Sequence, residues 1–216
     1  MRIRILKDGP YEVSGGVPLK KMVIGANEQG DSTHWIEGEY IKTGQTYRLC
    51  RCGQSKHMPF CDGSHAHGFD GTQTADCGPY EEAAIRYQGD GMELLDQEEL
   101  CAVARFCDVA GSIWNLINDK DNLEIAVQQA CDCPSGRLTI ITDDGTRVEP
   151  ELEPEIALIC DEPEGKMGPI WVRGGIEIEL EDGTIYEKRN RVTLCRCGQS
   201  QNKPFCDAMH MELEDE

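Results

Sequence analysis

Two stretches of the chain carry cysteine and histidine at spacings that suit metal binding. The first reads LCRCGQSKHMPFCDGSH over residues 49–65, and the second reads LCRCGQSQNKPFCDAMH over residues 194–210. They align without a gap and agree at 12 of 17 positions. The first has three cysteines and two histidines and the second has three cysteines and one histidine, and thiolate sulfur and imidazole nitrogen bind zinc and iron in proteins. The sequence therefore predicts two metal sites built from one repeated loop.

The spacing within the first stretch can bring its donors together. Cys50 and Cys52 are separated by one residue, so in extended backbone both side chains leave on the same side. Two thiolates on one tetrahedral metal lie within about 4 Å of each other, a distance that a bent C-x-C loop can supply. If Cys61 begins a helix, His65 projects from the same helical face four residues later. Asp62 in that first helical turn would suit the helix dipole.

The pattern C-x-C-G-x-S-x3-P-F-C-D-G-S-H resembles the CDGSH iron–sulfur family, whose members bind a [2Fe-2S] cluster through three cysteines and one histidine. The resemblance covers roughly residues 1–70 and 160–210. It implies that one iron is held by Cys50 and Cys52, and that a more exposed iron is held by Cys61 and His65. For the second copy it implies the ligands Cys195, Cys197, Cys206 and His210.

Two residues of the second copy depart from the family motif. Ala208 and Met209 replace its glycine and serine between the third and fourth ligands. All four ligand types survive, so we expect a cluster there with a shifted potential or exposure. A Cys₃His zinc site is the alternative for both loops, although zinc-binding loops favour two or more residues between paired cysteines.

A third group of cysteines lies between the two copies. Cys101 and Cys107 bracket five residues, and Cys133 is followed by Pro134. CAVARFC followed by CPSGRL resembles monocluster ferredoxins, including the [3Fe-4S] type, which needs only three thiolates. The resemblance implies one cluster held by Cys101, Cys107 and Cys133. Cys131 as a fourth ligand would make it [4Fe-4S], and packing of these thiols as small hydrophobic residues is the other alternative.

The elements that position these loops are also repeated. GPYEVSGGVPLK at residues 9–20 and GPIWVRGGIEIE at residues 168–179 share Gly, Pro, Val and a Gly-Gly pair in register, so the duplication covers a whole domain. From the glycine of GP to the first cysteine is 41 positions in the first copy and 27 in the second. The Gly-rich and polar residues 25–44 predict a longer loop in the first copy.

Alternating apolar and polar residues predict short strands in both copies. IEIELEDGTIYEKRNRVTL predicts a hairpin turning at Asp182-Gly183, and VPLKKMVI and TYRL predict strands in the first copy. Between the copies, AIRYQ, MELLD and RLTII predict strands, whereas EELCAVARFC and NLEIAVQQAC predict helices. VEPELEPE at residues 148–155 predicts a connector.

Together these patterns predict an α+β fold. Two small β-rich CDGSH-type repeats are expected to pair as an intramolecular pseudo-two-fold unit, because one lean repeat buries too little apolar surface alone. A small α+β ferredoxin-like domain is inserted between them. The predicted domains are residues 1–75, 78–147 and 155–216.

Composition restricts the compartment and the partners of the chain. The 12 cysteines, without a basic and apolar leader, predict metal binding in the reducing cytoplasm rather than a disulfide framework. The formal net charge of −19 disfavours nucleic acid and is compatible with a redox partner protein that has a basic docking face. An acidic surface that serves only solubility is the alternative. No apolar run is long enough to span a bilayer, so no membrane contact is predicted.

The predicted function is electron transfer by two [2Fe-2S] clusters and one [3Fe-4S] cluster. Replacing a thiolate by neutral imidazole removes negative charge from the surroundings of the cluster and should raise its potential. The sequence shows no phosphate loop, dinucleotide fingerprint or Ser/His/Asp arrangement, which predicts a carrier rather than an enzyme. The alternatives are an iron–sulfur storage or transfer protein and a zinc-stabilised interaction module.

Overall fold

Short strands make up most of the regular structure in the computed structural model, which describes residues 1–213. The strands are β1 Arg2–Ile5, β2 Tyr11–Ser14, β3 Leu19–Ala26, β4 Ser32–Ile41, β5 Thr46–Leu49, β6 Ile85–Gln88, β7 Met92–Asp96, β8 Leu138–Thr142, β9 Arg147–Val148, β10 Glu155–Asp161, β11 Lys166–Arg173, β12 Glu177–Leu180 and β13 Arg191–Leu194. The helices are α1 Tyr80–Ala83, α2 Ile113–Leu116 and α3 Leu123–Asp132. Single 3₁₀ turns span Ser64–Ala66, Glu98–Leu100, Phe106–Asp108 and Met209–Met211.

The two repeats exchange strands: the second contributes β12 to one sheet, and the first contributes β3 and β4 to the other. In the sheet β12-β1-β2-β5, strand β12 of the second repeat pairs in parallel with β1 of the first. In the sheet β13-β11-β10-β3-β4, strand β3 of the first repeat pairs in parallel with β10 of the second. The other neighbours are antiparallel. Each sheet is therefore completed by the other repeat, as the predicted pseudo-two-fold pairing within one chain requires.

One hydrophobic core lies between these two sheets. Alternation along the strands sends every second side chain inward, so both repeats contribute to it. The first repeat supplies Ile3, Ile5, Tyr11, Val13, Val17, Leu19, Tyr47 and Leu49. The second supplies Ile156, Leu158, Ile170, Val172, Ile176, Ile178, Tyr186, Val192 and Leu194. Because all of these side chains are buried, neither repeat has a core that excludes the other.

The insert builds its own antiparallel sheet in the order β6-β7-β8-β9. Helix α3 packs its buried Ala126 and Ala130 against Leu94 and Ile140 of this sheet in a separate core. Trp35 of β4 joins the insert to the first repeat: its indole N–H donates to the Asp132 carbonyl at 3.1 Å.

Three sequence predictions about elements need correction. Residues 25–44 are not a loop, because β4 pairs with β3 along most of this segment. EELCAVARFC is not a helix but two short 3₁₀ turns joined by irregular backbone. The segment 148–155 is a connector only in part, because Val148 ends β9 and Glu155 begins β10.

The predicted hairpin is confirmed in part. Leu180 N–H donates to the Thr184 carbonyl at 2.8 Å, which closes the turn at Asp182-Gly183, but RVTL forms β13, which pairs with β11 and not with β12. Two further predictions are confirmed. NLEIAVQQAC forms α3, and the predicted strands around Gly89-Asp90-Gly91 form β6 and β7.

Candidate metal centres

The first metal-binding loop leaves the end of β5 and folds back onto it. The amide of Cys50 donates to the Pro59 carbonyl at 2.8 Å, and the amide of Cys61 donates to the Arg48 carbonyl at 3.0 Å. Inside the loop the Ser55 hydroxyl donates to the Phe60 carbonyl at 2.6 Å. These bonds place the two cysteine-bearing ends of the loop on neighbouring chain segments.

The donors of this loop are grouped in two pairs. The sulfurs of Cys50 and Cys52 are 3.7 Å apart. The sulfur of Cys61 is 3.3 Å from Nδ1 of His65. Two sulfurs bound at about 2.3 Å to one tetrahedral metal lie about 3.8 Å apart, and a sulfur and a nitrogen slightly less. Each pair therefore has the spacing to hold one metal.

The second loop repeats this arrangement. The sulfurs of Cys195 and Cys197 are 3.6 Å apart, and Cys206 lies 3.5 Å from Nδ1 of His210. The Ser200 hydroxyl donates to the Phe205 carbonyl at 2.7 Å, as its counterpart does in the first loop. The donor set and its spacing are thus conserved between the two halves of the molecule.

The helix expected to begin at Cys61 is not formed. A single 3₁₀ turn over Ser64–Ala66 follows Gly63, whose φ of 93° lies in the left-handed region. Asp62 precedes the turn and accepts hydrogen bonds from the Ser64 hydroxyl and from the Lys56 amide, at 2.7 and 2.8 Å. Those bonds hold the pKa of the Asp62 carboxyl well below its usual range. Asp62 therefore fixes the loop instead of capping an α-helix.

Ala208 stands where the first loop has glycine, and it keeps the same backbone conformation. Its φ is 71°, in the left-handed region that alanine adopts at a cost of about 1 kcal/mol. The turn that follows, Met209–Met211, still carries His210. The departure from the motif therefore changes the side chain but not the path of the chain.

The two loops touch each other through their glycines. A Cβ added to Gly53 would lie 2.5 Å from the Cys197 carbonyl oxygen, and one added to Gly198 would lie 2.5 Å from the Cys52 carbonyl oxygen. Both glycines have positive φ, of 77° and 80°. Glycine at both positions therefore allows the backbones of the two loops to approach each other closely.

A buried arginine lies inside each C-x-C pair. Arg51 donates to the carbonyls of Leu6 and Gly71, and Arg196 donates to those of Ile159 and Gly168. Both side chains extend away from the loop into the sheets behind it. Each guanidinium thus anchors its loop to chain segments outside it.

The environment of the thiols differs between positions. Burial raises the pKa of Cys52 to about 11 and the pKa of Cys206 further. The hydrogen bond with Cys197 and the main-chain amides of Ser200 and Gly198 lower the pKa of Cys195 against the effect of burial. Because metals bind thiolate, filling these sites must release protons from the buried thiols.

The two sites differ in their exposure to solvent. Cys61 and His65 are half-buried, whereas Cys206 and His210 keep 3% and 7% of their accessible surface. The outer donor pair is therefore open in the first site and covered in the second.

The three central cysteines line one small cavity. Its volume is about 30 Å³, and Cys101, Cys107 and Cys133 all face it. The loop between the first two is held by left-handed backbone at Val103 and Arg105, with φ of 52° and 64°. This conformation is uncommon outside glycine, and for a β-branched residue it is strained. The left-handed backbone at these two residues interrupts the predicted helix, so CAVARFC wraps around the cavity instead.

A buried ion pair borders the same cavity. Arg137 lines it and makes two hydrogen bonds, at 2.6 and 3.0 Å, to the carboxylate of Asp96, which is 1% exposed. The Trp114 indole donates to the same carboxylate at 3.2 Å. Burial and the neighbouring Cys133 and Cys101 raise the pKa of Cys107 to about 11. A fixed guanidinium beside these thiols would stabilise their ionised form.

Cys131 does not line this cavity. Burial raises the pKa of its thiol, and its charged neighbours are Arg191 and Glu149 on the other side of the segment. Cys77 and Cys160 likewise do not line the cavity, and they stand apart from the donor pairs named above.

Within residues 1–213, no three His, Cys, Asp or Glu side chains converge closely enough to hold a single metal ion. The predicted donors instead form pairs in the two repeated loops and a ring around a cavity in the insert. That grouping suits ligands that contact different metals of a cluster.

Three groups that join the insert to the second repeat were not predicted from the sequence. Arg191 on β13 is fully buried and donates to the Cys133 carbonyl at 2.9 Å and to Glu149 at 2.8 Å. The other two groups are Asn202 and the ion pair of Arg105 with Asp161, at 2.7 Å. The sequence offered one sign of these contacts, namely that Asn202 of the second copy replaces His57 of the first. The other long-range contacts have no pattern in the sequence.

Among the residues that the structure describes, no helix has the length and apolar character needed to cross a membrane.

Comparison with protein families agrees with the three groups of donors. The model described as "Iron-binding zinc finger CDGSH type" matches residues 8–66 and 167–211. The model described as "Divergent 4Fe-4S mono-cluster" matches residues 87–143.

Curated relatives match a short stretch only. The CDGSH iron-sulfur domain-containing protein 3, mitochondrial, of Mus musculus is 73% identical over 25 residues, which are 12% of this chain and 18% of that protein. The Homo sapiens protein of the same name has the same identity over 25 residues, which are 20% of its length. The matched stretch thus spans about a fifth of these relatives or less. No solved structure matches the chain. The chain is an iron–sulfur-binding protein with two CDGSH-type segments and a divergent 4Fe-4S monocluster segment between them.

Proposed function

We propose that the chain is an electron-transfer protein that carries two [2Fe-2S] clusters and one [3Fe-4S] cluster. The observation that carries the proposal is the repeated pairing of donors, Cys with Cys at 3.6–3.7 Å and Cys with His at 3.3–3.5 Å. One pair per iron is what a two-iron cluster with three cysteines and one histidine requires. Such clusters supply one-electron oxidation and reduction when bound.

Donor pairing favours this proposal over a zinc-stabilised interaction module. A structural zinc ion needs four donors around a single point. In the described part of the chain no group of even three such donors has that geometry. Zinc would also leave unexplained why the insert holds a further ring of three thiols.

For the central site, the cavity favours three protein ligands. Cys101, Cys107 and Cys133 line it, whereas Cys131 does not. Three thiolates are sufficient for a [3Fe-4S] cluster, and this is the type that we propose. A [4Fe-4S] cluster is the alternative that the matched family description suggests.

The polypeptide would contribute shielding and charge. The covered second site keeps water from Cys206 and His210, and the guanidinium groups of Arg51, Arg196 and Arg137 offset the negative charge of bound thiolates. We propose a carrier and not an enzyme, because the sequence has no phosphate loop, dinucleotide fingerprint or Ser/His/Asp arrangement.

Transfer or storage of clusters is a second candidate, and one observation favours it. The outer donors of the first site, Cys61 and His65, are half-exposed. Ligands at the surface can be exchanged with those of an acceptor protein more readily than buried ligands. Donation, if it occurs, should therefore start from the first site.

The surface charge suggests the kind of partner. With 40 acidic and 21 basic residues, the chain would attract a redox partner protein through a basic docking face. We propose that this exchange takes place in the cytoplasm, without nucleic acid or a membrane as a partner.

Anaerobic purification of the full chain tests these proposals. We expect iron and acid-labile sulfide in the ratio set by two two-iron clusters and one three-iron cluster, with matching EPR and Mössbauer spectra. Incubation with an apo-acceptor protein separates the two candidates, because a carrier keeps its iron and a donor loses it. A colourless protein that contains zinc and no sulfide would refute both.

A further inference from the structure

The loop of the second repeat packs directly on the segment that leads to the central site. The side-chain amide of Asn202 donates to the Glu99 carbonyl at 2.9 Å. Phe205 packs on the buried cluster that contains Leu100. Because Phe205 precedes Cys206 and Leu100 precedes Cys101, these contacts place the segment that carries a donor of the second site next to the segment that carries a donor of the central site.

A second tie joins the same two sites. Arg105, between the first two central cysteines, makes two hydrogen bonds of 2.7 Å to the carboxylate of Asp161, which is 2% exposed. A third bond reaches the Val103 carbonyl at 2.9 Å. The guanidinium therefore holds the strained backbone of the central loop in place. Asp161 ends β10, and the neighbouring strand β11 contacts the turn that carries His210.

Among the described residues, the loop of the first repeat lacks the corresponding contacts with the central segment. His57 occupies the position of Asn202, is exposed, and forms its backbone hydrogen bonds within its own loop. Phe60 and its counterpart Phe205 both pack on the sandwich core, but Phe205 alone of the two also packs on the cluster that contains Leu100. The two metal-binding loops thus diverge where the second loop contacts the insert.

We propose that the central three-cysteine site assembles against the second CDGSH-type loop, and that Asn202 and the Arg105–Asp161 pair are its positioning residues. Loading of the central site then depends on the second repeated loop and not on the first. This inference rests on the proposed function only in requiring that both sites bind iron–sulfur clusters. Linkage requires the same coupling in both directions, so a loaded central site also favours loading of the second.

The internal duplication supplies a matched pair of variants. Asn202→His gives the second loop the residue of the first, and His57→Asn makes the opposite change in the first loop. Loss of one hydrogen bond should weaken loading of the central site about fivefold in Asn202→His. His57→Asn should load like the natural chain. Both substitutions lie at the protein surface, and thermal melting of the cluster-free chains checks that the fold is kept.

The measurement is the EPR and Mössbauer signal of the central cluster per chain, followed during reconstitution of the full-length protein with limiting iron and sulfide. Asp161→Asn should also lower this signal, and Cys206→Ser should lower it more than Cys61→Ser does. Equal loading of the central site in all five variants would overturn the inference while leaving the proposed function intact. Absence of iron and sulfide from the natural chain would instead overturn the proposed function.

Discussion

Gly53 and Gly198 are the residues at which the two metal-binding loops come closest. Each α-carbon faces the main-chain carbonyl oxygen of the second cysteine of the opposite loop. Both glycines have positive φ, a conformation that residues with a side chain rarely adopt. A backbone group cannot move aside as a flexible side chain can, so these positions admit no Cβ without displacing the partner loop.

Gly198→Ala should therefore lower the free energy of unfolding by about 3 kcal/mol, from strain at positive φ together with the clash against Cys52. It should also reduce iron binding in both loops. Gly63→Ala is the matched control, because its φ of 93° is left-handed but an added Cβ meets nothing within 4 Å. The second repeat already has alanine there, so we expect a loss of only about 1 kcal/mol by urea denaturation. Equal losses would contradict the proposed contact.

Arg191 joins the insert to the second repeat at a single fully buried side chain. It donates to the carbonyls of Ala130, Cys133 and Leu138 and pairs with Glu149. Arg191→Leu would leave these acceptors and one carboxylate unpartnered in the interior, so we expect about 4 kcal/mol of destabilisation. Arg48→Ala removes a solvent-exposed pair with Glu12 and should cost less than about 1 kcal/mol. Urea titrations of both variants make the comparison.

Glu149 gives the stability a dependence on pH. Burial raises its pKa, but the Arg191 hydrogen bonds outweigh burial, and the pKa is lowered in the folded chain. The ionised form therefore stabilises the fold above the ordinary carboxyl pKa of about 4.3, and this contribution is lost as pH falls below that value toward the folded pKa. The interval from about pH 6 to about pH 3 spans this loss. Over that interval the free energy of unfolding of the natural chain should fall more than that of Glu149→Gln. Parallel losses in urea midpoint would show that Glu149 is not held ionised.

At the scale of elements, the two repeated loops have the same internal hydrogen bonds and donor pairs. They differ in the elements that cover them. Hydrogen bonds within about 17 residues set the donor pairs, so sequence spacing was enough to predict which residues pair. Exposure depends on neighbouring elements, and the spacing contained no information about it.

The difference in cover predicts unequal release of iron. Cys61 and His65 can be reached by a chelator, whereas Cys206 and His210 are buried. We expect the first site to lose its iron several times faster than the second, since opening the second requires local unfolding. Visible circular dichroism during chelation measures the two phases, and Cys61→Ser should remove the fast phase only. A single phase in the natural chain would contradict this.

The central loop shows why a helical pattern failed. EELCAVARFC has residues that favour a helix, but Val103 and Arg105 take left-handed backbone, and the ion pair with Asp161 holds them there. Asp161 lies 56 residues away from Arg105, so no window of local sequence could include it.

At the scale of the whole molecule, strand exchange makes the two repeats interdependent. Residues 1–75 alone lose β10 beside β3 and β12 beside β1, together with half of the common core. We expect this fragment to be unfolded as a monomer, or to associate into a dimer in which two copies replace the missing repeat. Circular dichroism with analytical ultracentrifugation tests this, and a folded monomer would refute it.

Local sequence was sufficient to predict which donor side chains of each loop lie together, the repeat and most of the strands, because each depends on residues close together along the chain. Donor spacing and alternating hydrophobicity report which groups can meet nearby and which face of a strand is buried. The fold alone established that the repeats exchange strands, that the second site is covered, and that Asn202 rather than His57 meets the insert. Strand partners and contacts between domains join residues far apart in the chain, and the periodicity of a strand does not specify its neighbour.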